Sequence, residues 1–151
     1  MKFEIVREDC RKFPNQGIKL PTRKTINSAG YDFYSNENVF VKPNETHIFW
    51  TDIKADVGNL DLYLQISIRS SLAKEGLCLS NGIGIIDADY YDNESNDGNI
   101  GIMVTNLGNN YVKIQSGDRI AQGIICLYYV MDDDVTPKLK KRTGGIGSTG
   151  K

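Results

Sequence analysis

Between Leu60 and Ile68 the sequence alternates. Leu60, Leu62, Leu64, Ile66 and Ile68 are apolar, and Asp61, Tyr63, Gln65 and Ser67 fall between them. A period of two is the signature of an extended strand with one buried face. It constrains the chain more than any other feature, because a lone strand is unstable and must recruit partners from elsewhere in the sequence. Candidate partners are the β-rich runs 46–53, 100–105, 111–114 and 119–130. Turn-forming segments punctuate them at Lys42-Pro43-Asn44, Val57-Gly58-Asn59, Leu107-Gly108-Asn109-Asn110 and Ser116-Gly117-Asp118. Only 70–75 reads as helix, with Ser70 or Ser71 capping Leu72, Ala73 and Lys74 before Gly76 stops it. The pattern predicts an all-β subunit, a sandwich, jelly roll or small barrel, with at most one short helix.

The chain has 151 residues, enough for one core. With 18 basic and 19 acidic side chains the net charge is −1, which supplies no footprint for a phosphate backbone, so no nucleic-acid partner is expected. No apolar run approaches the roughly 20 residues of a membrane helix, and 1–14 is too charged for a signal-peptide core. No membrane partner and a cytoplasmic location are therefore expected. Cys10, Cys78 and Cys126 are far apart and odd in number, which predicts reduced, buried thiols and neither a disulfide framework nor a zinc site. His47 is the sole histidine and sits in the strand-like THIFWT, so hydrolytic chemistry should rest on a carboxylate or a metal.

Two stretches do not resemble core. The segment 91–99, YDNESNDGN, reads as a solvated loop tip between strands. From Lys138 onward, basic residues give way to Gly144, Gly145, Gly147 and Gly150 with Ser148 and Thr149 between them. The expected organisation is a β domain over 1–137 and a flexible arm over 138–151. GIGSTGK at 145–151 matches the P-loop pattern G-x-x-x-x-G-K but lacks the following Ser/Thr and helix. What remains is a backbone able to approach phosphate closely, with hydroxyl donors beside it.

Four further segments combine special backbone with polar groups: Ala29-Gly30-Tyr31-Asp32, Arg69-Ser70-Ser71-Leu72-Ala73, Gly84-Ile85-Ile86-Asp87-Ala88-Asp89-Tyr90 and Gly117-Asp118-Arg119-Ile120-Ala121-Gln122. Each alone has an ordinary structural explanation. In this order, with the glycine-rich tail, they resemble the five motifs of the trimeric dUTP nucleotidohydrolases, the dUTPase family. The likeness covers nearly the whole chain. It implies a distorted jelly-roll-like β-barrel subunit and a homotrimer, with the arm of one chain closing over the active site of a neighbour. It also implies hydrolysis of dUTP to dUMP and pyrophosphate, which limits uracil in DNA and supplies dUMP for thymidylate synthesis. Mg2+ would be held through substrate phosphates and water, without protein ligands.

Residue by residue, Asp87 matches the carboxylate that activates the water attacking the α-phosphorus. Orientation and proton acceptance suit a carboxylate in a chain with one distant histidine. Asp89, expected on the opposite face of an extended segment, serves as the non-catalytic control. Asn81 and the backbone of Gly82 to Ile86, including Gly84 and Ile85, match the hairpin that reads the uracil edge. Such a hairpin rejects thymine sterically and cytosine by donor and acceptor mismatch. Tyr90 matches the tyrosine whose ring lies against the deoxyribose and excludes a 2′-hydroxyl. Arg69, Ser70, Ser71 and Gln122 match phosphate-contacting positions. Asp32 is expected to orient a basic group near the site, and Asp118 to hold the turn before Arg119.

The chain departs from the family pattern in three places. Ile146 stands where the tail usually carries a phenylalanine over uracil, ahead of Gly147, Ser148 and Thr149. Lys141 falls at the arginine position that clamps the γ-phosphate, with Arg142 next to it, and either suits the role. Asp92 to Asp97 is an acidic insertion of about six residues after Tyr90, open to two readings: repulsion of phosphate or an interface for a protein partner. A dCTP deaminase, or a bifunctional deaminase and diphosphatase, is the alternative enzyme. Its glutamate should follow the Ile-Asp segment, and the only one nearby is Glu94, inside the insertion. A dUTPase-fold regulatory binding protein is the alternative outside catalysis, and the intact motifs argue against its being purely non-enzymatic.

Overall fold

A computed structural model describes residues 1–58, 61–134 and 144. Its strands are β1 (Lys2–Ile5), β2 (Tyr31–Tyr34), β3 (Val39–Val41), β4 (Thr46–Trp50), β5 (Ile53–Asp56), β6 (Leu62–Ile68), β7 (Leu77–Leu79), β8 (Gly84–Ile86), β9 (Gly101–Asn106), β10 (Val112–Ile114) and β11 (Arg119–Leu127). The α-helix among the described residues is α1 (Ser70–Lys74), and 3-10 turns lie at Glu8–Cys10 and Ala88–Tyr90. These strands all pair antiparallel: a four-stranded sheet in the order β2-β11-β6-β8, a three-stranded sheet β4-β9-β7, and the pairs β1-β5 and β10-β3. The subunit is jelly-roll-like and nearly all β.

The alternation along β6 places Leu64 and Ile66 in the core. Ile102 and Val104 of β9, Val112 and Ile114 of β10, and Ile120 of β11 meet them with Phe33 and Phe49 in one cluster. Each such side chain contributes about 1.5–3 kcal/mol by leaving water. No described helix is long and apolar enough to cross a membrane.

Several expectations are corrected. The strand expected over 46–53 breaks after Trp50, because Asp52 adopts φ 55°. Aspartate tolerates this left-handed conformation, and here its buried carboxylate accepts bonds from the backbone N–H of Lys12 and Phe13, both at 2.8 Å. Neither Ser70 nor Ser71 caps α1. Arg69 occupies that position without a side-chain cap bond, although Gly76 does end the helix with φ 97°. The segment after Asp87 is a 3-10 turn, so the simple alternation assumed for Asp87 and Asp89 does not apply. The cysteines are free as expected but half-buried.

The largest correction concerns 91–99, which is not a solvated tip. Asn93, Asp97 and Asn99 are buried. Buried polar groups are tolerated when they bond one another, and here Asn99 Nδ2 donates to Asp52 (2.9 Å) while Asp97 accepts from the Arg7 backbone N–H (2.7 Å). Lys54, also largely buried, pairs with Asp97 at 3.0 Å and with Asp92. Burial presses the Lys54 ammonium toward neutrality, but its bonds to the two carboxylates outweigh this and hold its pKa above the ordinary lysine value. Much of the insertion's negative charge is thus taken up within the subunit.

Candidate active site

Two clefts gather Asn81, Gly84, Ile85 and Ile86 in one place and Arg69 and Gln122 in another. The first lies against β8. Strands β7 and β8 are joined by a tight turn in which Gly82 adopts φ 76° and donates its N–H to the Leu79 carbonyl at 3.0 Å. Asn81, Gly84, Ile85 and Ile86 line a cleft of about 220 Å³, closed beneath by Ile66, Leu79, Ile102 and Met103. A Cβ on Gly84 would stand 3.0 Å from Ile66 Cβ, so glycine is what lets β8 sit close on β6. β8 is the edge of its sheet. An edge strand presents backbone N–H and C=O groups to whatever enters beside it, a fixed donor and acceptor pattern suited to a planar heterocycle.

The second cleft, about 360 Å³, lies near the opposite edge of the same sheet. Arg69 and Gln122 line it together with Lys24, Arg119, Asp32, Ala29 and Gly30. Gln122 of β11 pairs across the sheet with Asp32 of β2 on one side and Ser67 of β6 on the other, which explains why three distant motifs converge. Asp32 accepts from Arg119 Nη1 at 2.9 Å and faces Arg69 Nε at 3.5 Å. One carboxylate thereby holds two guanidinium groups in place while leaving the cleft with net positive charge from Lys24, Arg69 and Arg119. A Cβ on Gly30 would meet Gln122 Oε1 at 3.1 Å, so Gly30 leaves room for that side chain. Asp118 closes the preceding turn by accepting from the Gln115 N–H at 2.8 Å.

Sequence reasoning missed Lys24 and Arg119 as cleft residues. Arg119 stands inside a recognised motif and is visible there. Lys24 stands among ordinary surface charges, and nothing in its neighbours marks it. The apolar floor of the first cleft is legible only as core.

Asp87, Tyr90, Ser70 and Ser71 line neither cleft. Asp87 is half-buried at the head of the Ala88–Tyr90 turn, directly after β8. Tyr90 is 5% exposed and part of the core cluster. Ser70 and Ser71 are exposed at the start of α1, beside Arg69. Lys141, Arg142, Ile146, Gly147, Ser148 and Thr149 lie outside the described residues. His47, on β4, bonds Glu37 at 2.9 Å and packs edge-on against Phe49.

The register separates Asp87 from Arg69 within one chain. Leu64 faces Ile86 across the β6–β8 pairing, so Asp87 flanks the beginning of β6 while Arg69 follows its end. The run from position 64, opposite Ile86, to position 69, at about 3.4 Å per residue, already offsets Arg69 by roughly 17 Å along the strand from the end of β8, where Asp87 follows. Within one chain, Asp87 and the arginine cleft therefore stand near opposite ends of β6.

Residues 16–150 match the dUTPase family profile. The chain is 37% identical to the deoxyuridine 5′-triphosphate nucleotidohydrolase of Lactococcus lactis over 98% of its own length and 96% of that protein. It is 36% identical to the enzyme of the same name from vaccinia virus strain Copenhagen, over 87% of this chain and 86% of the viral protein. Among solved structures, the dUTPase of Streptococcus mutans superimposes with a TM-score of 0.74 at 31% identity, covering 87% of this chain and 99% of that one. With motif order, sheet topology and near-complete sequence likeness in agreement, the chain belongs to the dUTPase family.

Proposed function

We propose that the chain hydrolyses dUTP to dUMP and pyrophosphate at sites shared between the subunits of a homotrimer. The observation that carries this reading is the pairing of a base-sized cleft, lined by backbone of an edge strand, with a cationic cleft near the far edge of the same sheet. Asp87 adjoins the first and Arg69 lines the second, about 17 Å apart along β6. Joining the β8 edge of one copy to the arginine cleft of another supplies base, sugar and phosphate contacts in one place. Exposed apolar residues at the end of β11 and beyond it, Leu127, Tyr129, Val130 and Met131, offer surface for such contacts.

Asn81, Gly84, Ile85 and Ile86 read the uracil edge, and Tyr90 walls off the sugar 2′ position. Arg69, Ser70, Ser71 and Gln122 hold the phosphates, with Lys141 or Arg142 on the γ-phosphate and Ile146, Gly147, Ser148 and Thr149 covering the nucleotide. Asp87 orients a water toward the α-phosphorus and takes its proton. The P–Oα,β bond breaks, the water oxygen stays on dUMP, and pyrophosphate leaves. Mg2+ supplies charge neutralisation when it arrives with the triphosphate. In the arginine cleft the Asp32 carboxylate is already committed to Arg69 and Arg119, so a divalent ion there would be ligated by phosphate oxygens and water. The carboxylates of Asp92 and Asp97, engaged by Lys54, favour a role within the subunit for the insertion over docking of another protein.

Mass spectrometry of the nucleotides after incubation with dUTP and, separately, dCTP tests the reading. Formation of dUMP and pyrophosphate from dUTP is expected. Conversion of dCTP to dUTP would favour a deaminase, and no product from either would favour a binding protein.

A further inference from the structure

The polar loop after Tyr90 has no chemical role in the proposed reaction, yet its bonds converge on that residue. The Tyr90 hydroxyl donates to the Asn99 carbonyl at 2.7 Å and accepts from Asn96 Nδ2 at 2.8 Å. At the other end, the Tyr90 backbone carbonyl accepts from Asn93 Nδ2 at 2.8 Å. Asn93 Nδ2 also donates to Asn96 Oδ1 at 2.8 Å, so the side chains that grip the two ends of the tyrosine are bonded to each other. Gly98, at φ 83°, completes the fit, since a Cβ there would stand 2.8 Å from the Tyr90 carbonyl oxygen. The loop is itself fastened to the barrel by Asp97 on Arg7 and Lys54 and by Asp92 on Lys54.

We propose that Asn96, braced by Asn93, is a positioning residue that fixes the Tyr90 ring and thereby sets discrimination between deoxyribose and ribose. The inference rests on the functional reading above, in which Tyr90 walls off the 2′ position. A steric filter is only as selective as its wall is immobile. A phenol held at its Cα alone can pivot about two torsions, and a displacement near one ångström at the ring is enough to admit an oxygen atom. Bonds at the hydroxyl, the far end of that lever, remove the pivot. Asn96 supplies one of them as a donor, leaving the phenolic proton for Asn99. The insertion thus acts as a splint for the residue that precedes it.

The test is a double-substitution cycle read as the ratio of kcat/KM for dUTP to that for UTP, measured in the parent, Asn96→Ala, Tyr90→Phe and the combined variant. Asn96→Ala should lower the ratio roughly tenfold, chiefly by raising kcat/KM for UTP. Tyr90→Phe should lower it at least as far, because it also removes the bond to Asn99. The combination should lower it no further than Tyr90→Phe, because the Asn96 bond is already gone there. A general folding defect would instead depress both substrates together. An unchanged ratio in Asn96→Ala, or falls that multiply in the combined variant, would overturn the inference. Should Asn96→Ala fail to fold, Asn96→Leu, which keeps the volume of the side chain and removes its amide donor, takes its place in the cycle, and an unchanged ratio there overturns the inference equally. A parent that does not hydrolyse dUTP brings down the functional reading. A selective parent with an equally selective Asn96→Ala variant brings down only the splint.

Discussion

The two clefts near opposite edges of the β2-β11-β6-β8 sheet are built from different materials. The β8 cleft is made of backbone and apolar side chains, and Gly84 presses its strand onto Ile66. The β2 cleft is made of charged side chains arranged around Asp32. Backbone fixed in a ladder presents donors and acceptors at set positions, which suits reading the edge of a base. Guanidinium groups held by one carboxylate present several N–H donors and positive charge together, which suits phosphates. In the proposed reaction, recognition and charge binding sit on separate elements of the sheet, and chemistry requires that the two be brought together.

Substitutions on either side of this contrast should differ in kind and in size. The largest effect is expected at Asp87. Asp87→Asn should lower kcat by about 10³-fold or more while nucleotide binding persists, because the general base is lost and the clefts remain; single-turnover kinetics and calorimetry separate the two. Asp89→Asn should have far less effect. Arg69→Ala comes next, with kcat/KM falling on the order of 10²-fold, partly because Asp32 loses one of its two partners. Arg69→Lys should recover little, since an ammonium cannot replace the planar fork.

Glycine substitutions separate the materials directly. Gly84→Ala sets a Cβ against Ile66 Cβ at 3.0 Å, and a shift of β8 should cost a few-fold to tenfold in the preference for dUTP over dTTP. Gly30→Ala meets Gln122 Oε1 at 3.1 Å and Gln122 Cβ at 3.3 Å, so the amide end can swing while the Cβ contact asks for a shift of a few tenths of an ångström, and KM should rise no more than about threefold. The smallest effect concerns the loop after Tyr90. Tyr91 donates its hydroxyl proton to Glu4, which pushes its pKa up to about 12. A folded-state pKa raised above the ordinary value of 10.0 gives stability that is present below pH 10 and is lost between pH 10 and 12. Urea unfolding in that window should show a decline that Tyr91→Phe makes shallower.

Much of the fold is legible in the amino-acid sequence. Period two over 62–68 identifies the central strand because one face of β6 is buried and the other is not. Glycine at 76, 82 and 117 marks left-handed turns, as its freedom of φ predicts. The break at Asp52 is hidden, since its cause is a set of N–H donors some forty residues away at Lys12 and Phe13. The loop 91–99 misleads for a related reason. Composition records polarity, but Asn93, Asp97 and Asn99 are buried because they satisfy partners that local sequence does not reveal. At the site, motif residues can be named singly. Their division between two clefts, set by the register of β6 against β8, cannot be read from the motifs.

Mixing subunits tests that division most directly. Asp87→Asn and Arg69→Ala chains, each nearly inactive alone, can be unfolded together at equal concentration, refolded and assayed for dUTP hydrolysis. If each site takes Asp87 from one chain and Arg69 from another, random assembly restores about a quarter of the parent activity per site. Activity no greater than the sum of the two separate variants, in hetero-oligomers verified by native mass spectrometry, would show that both residues serve one site from one chain, and the division between subunits would be refuted.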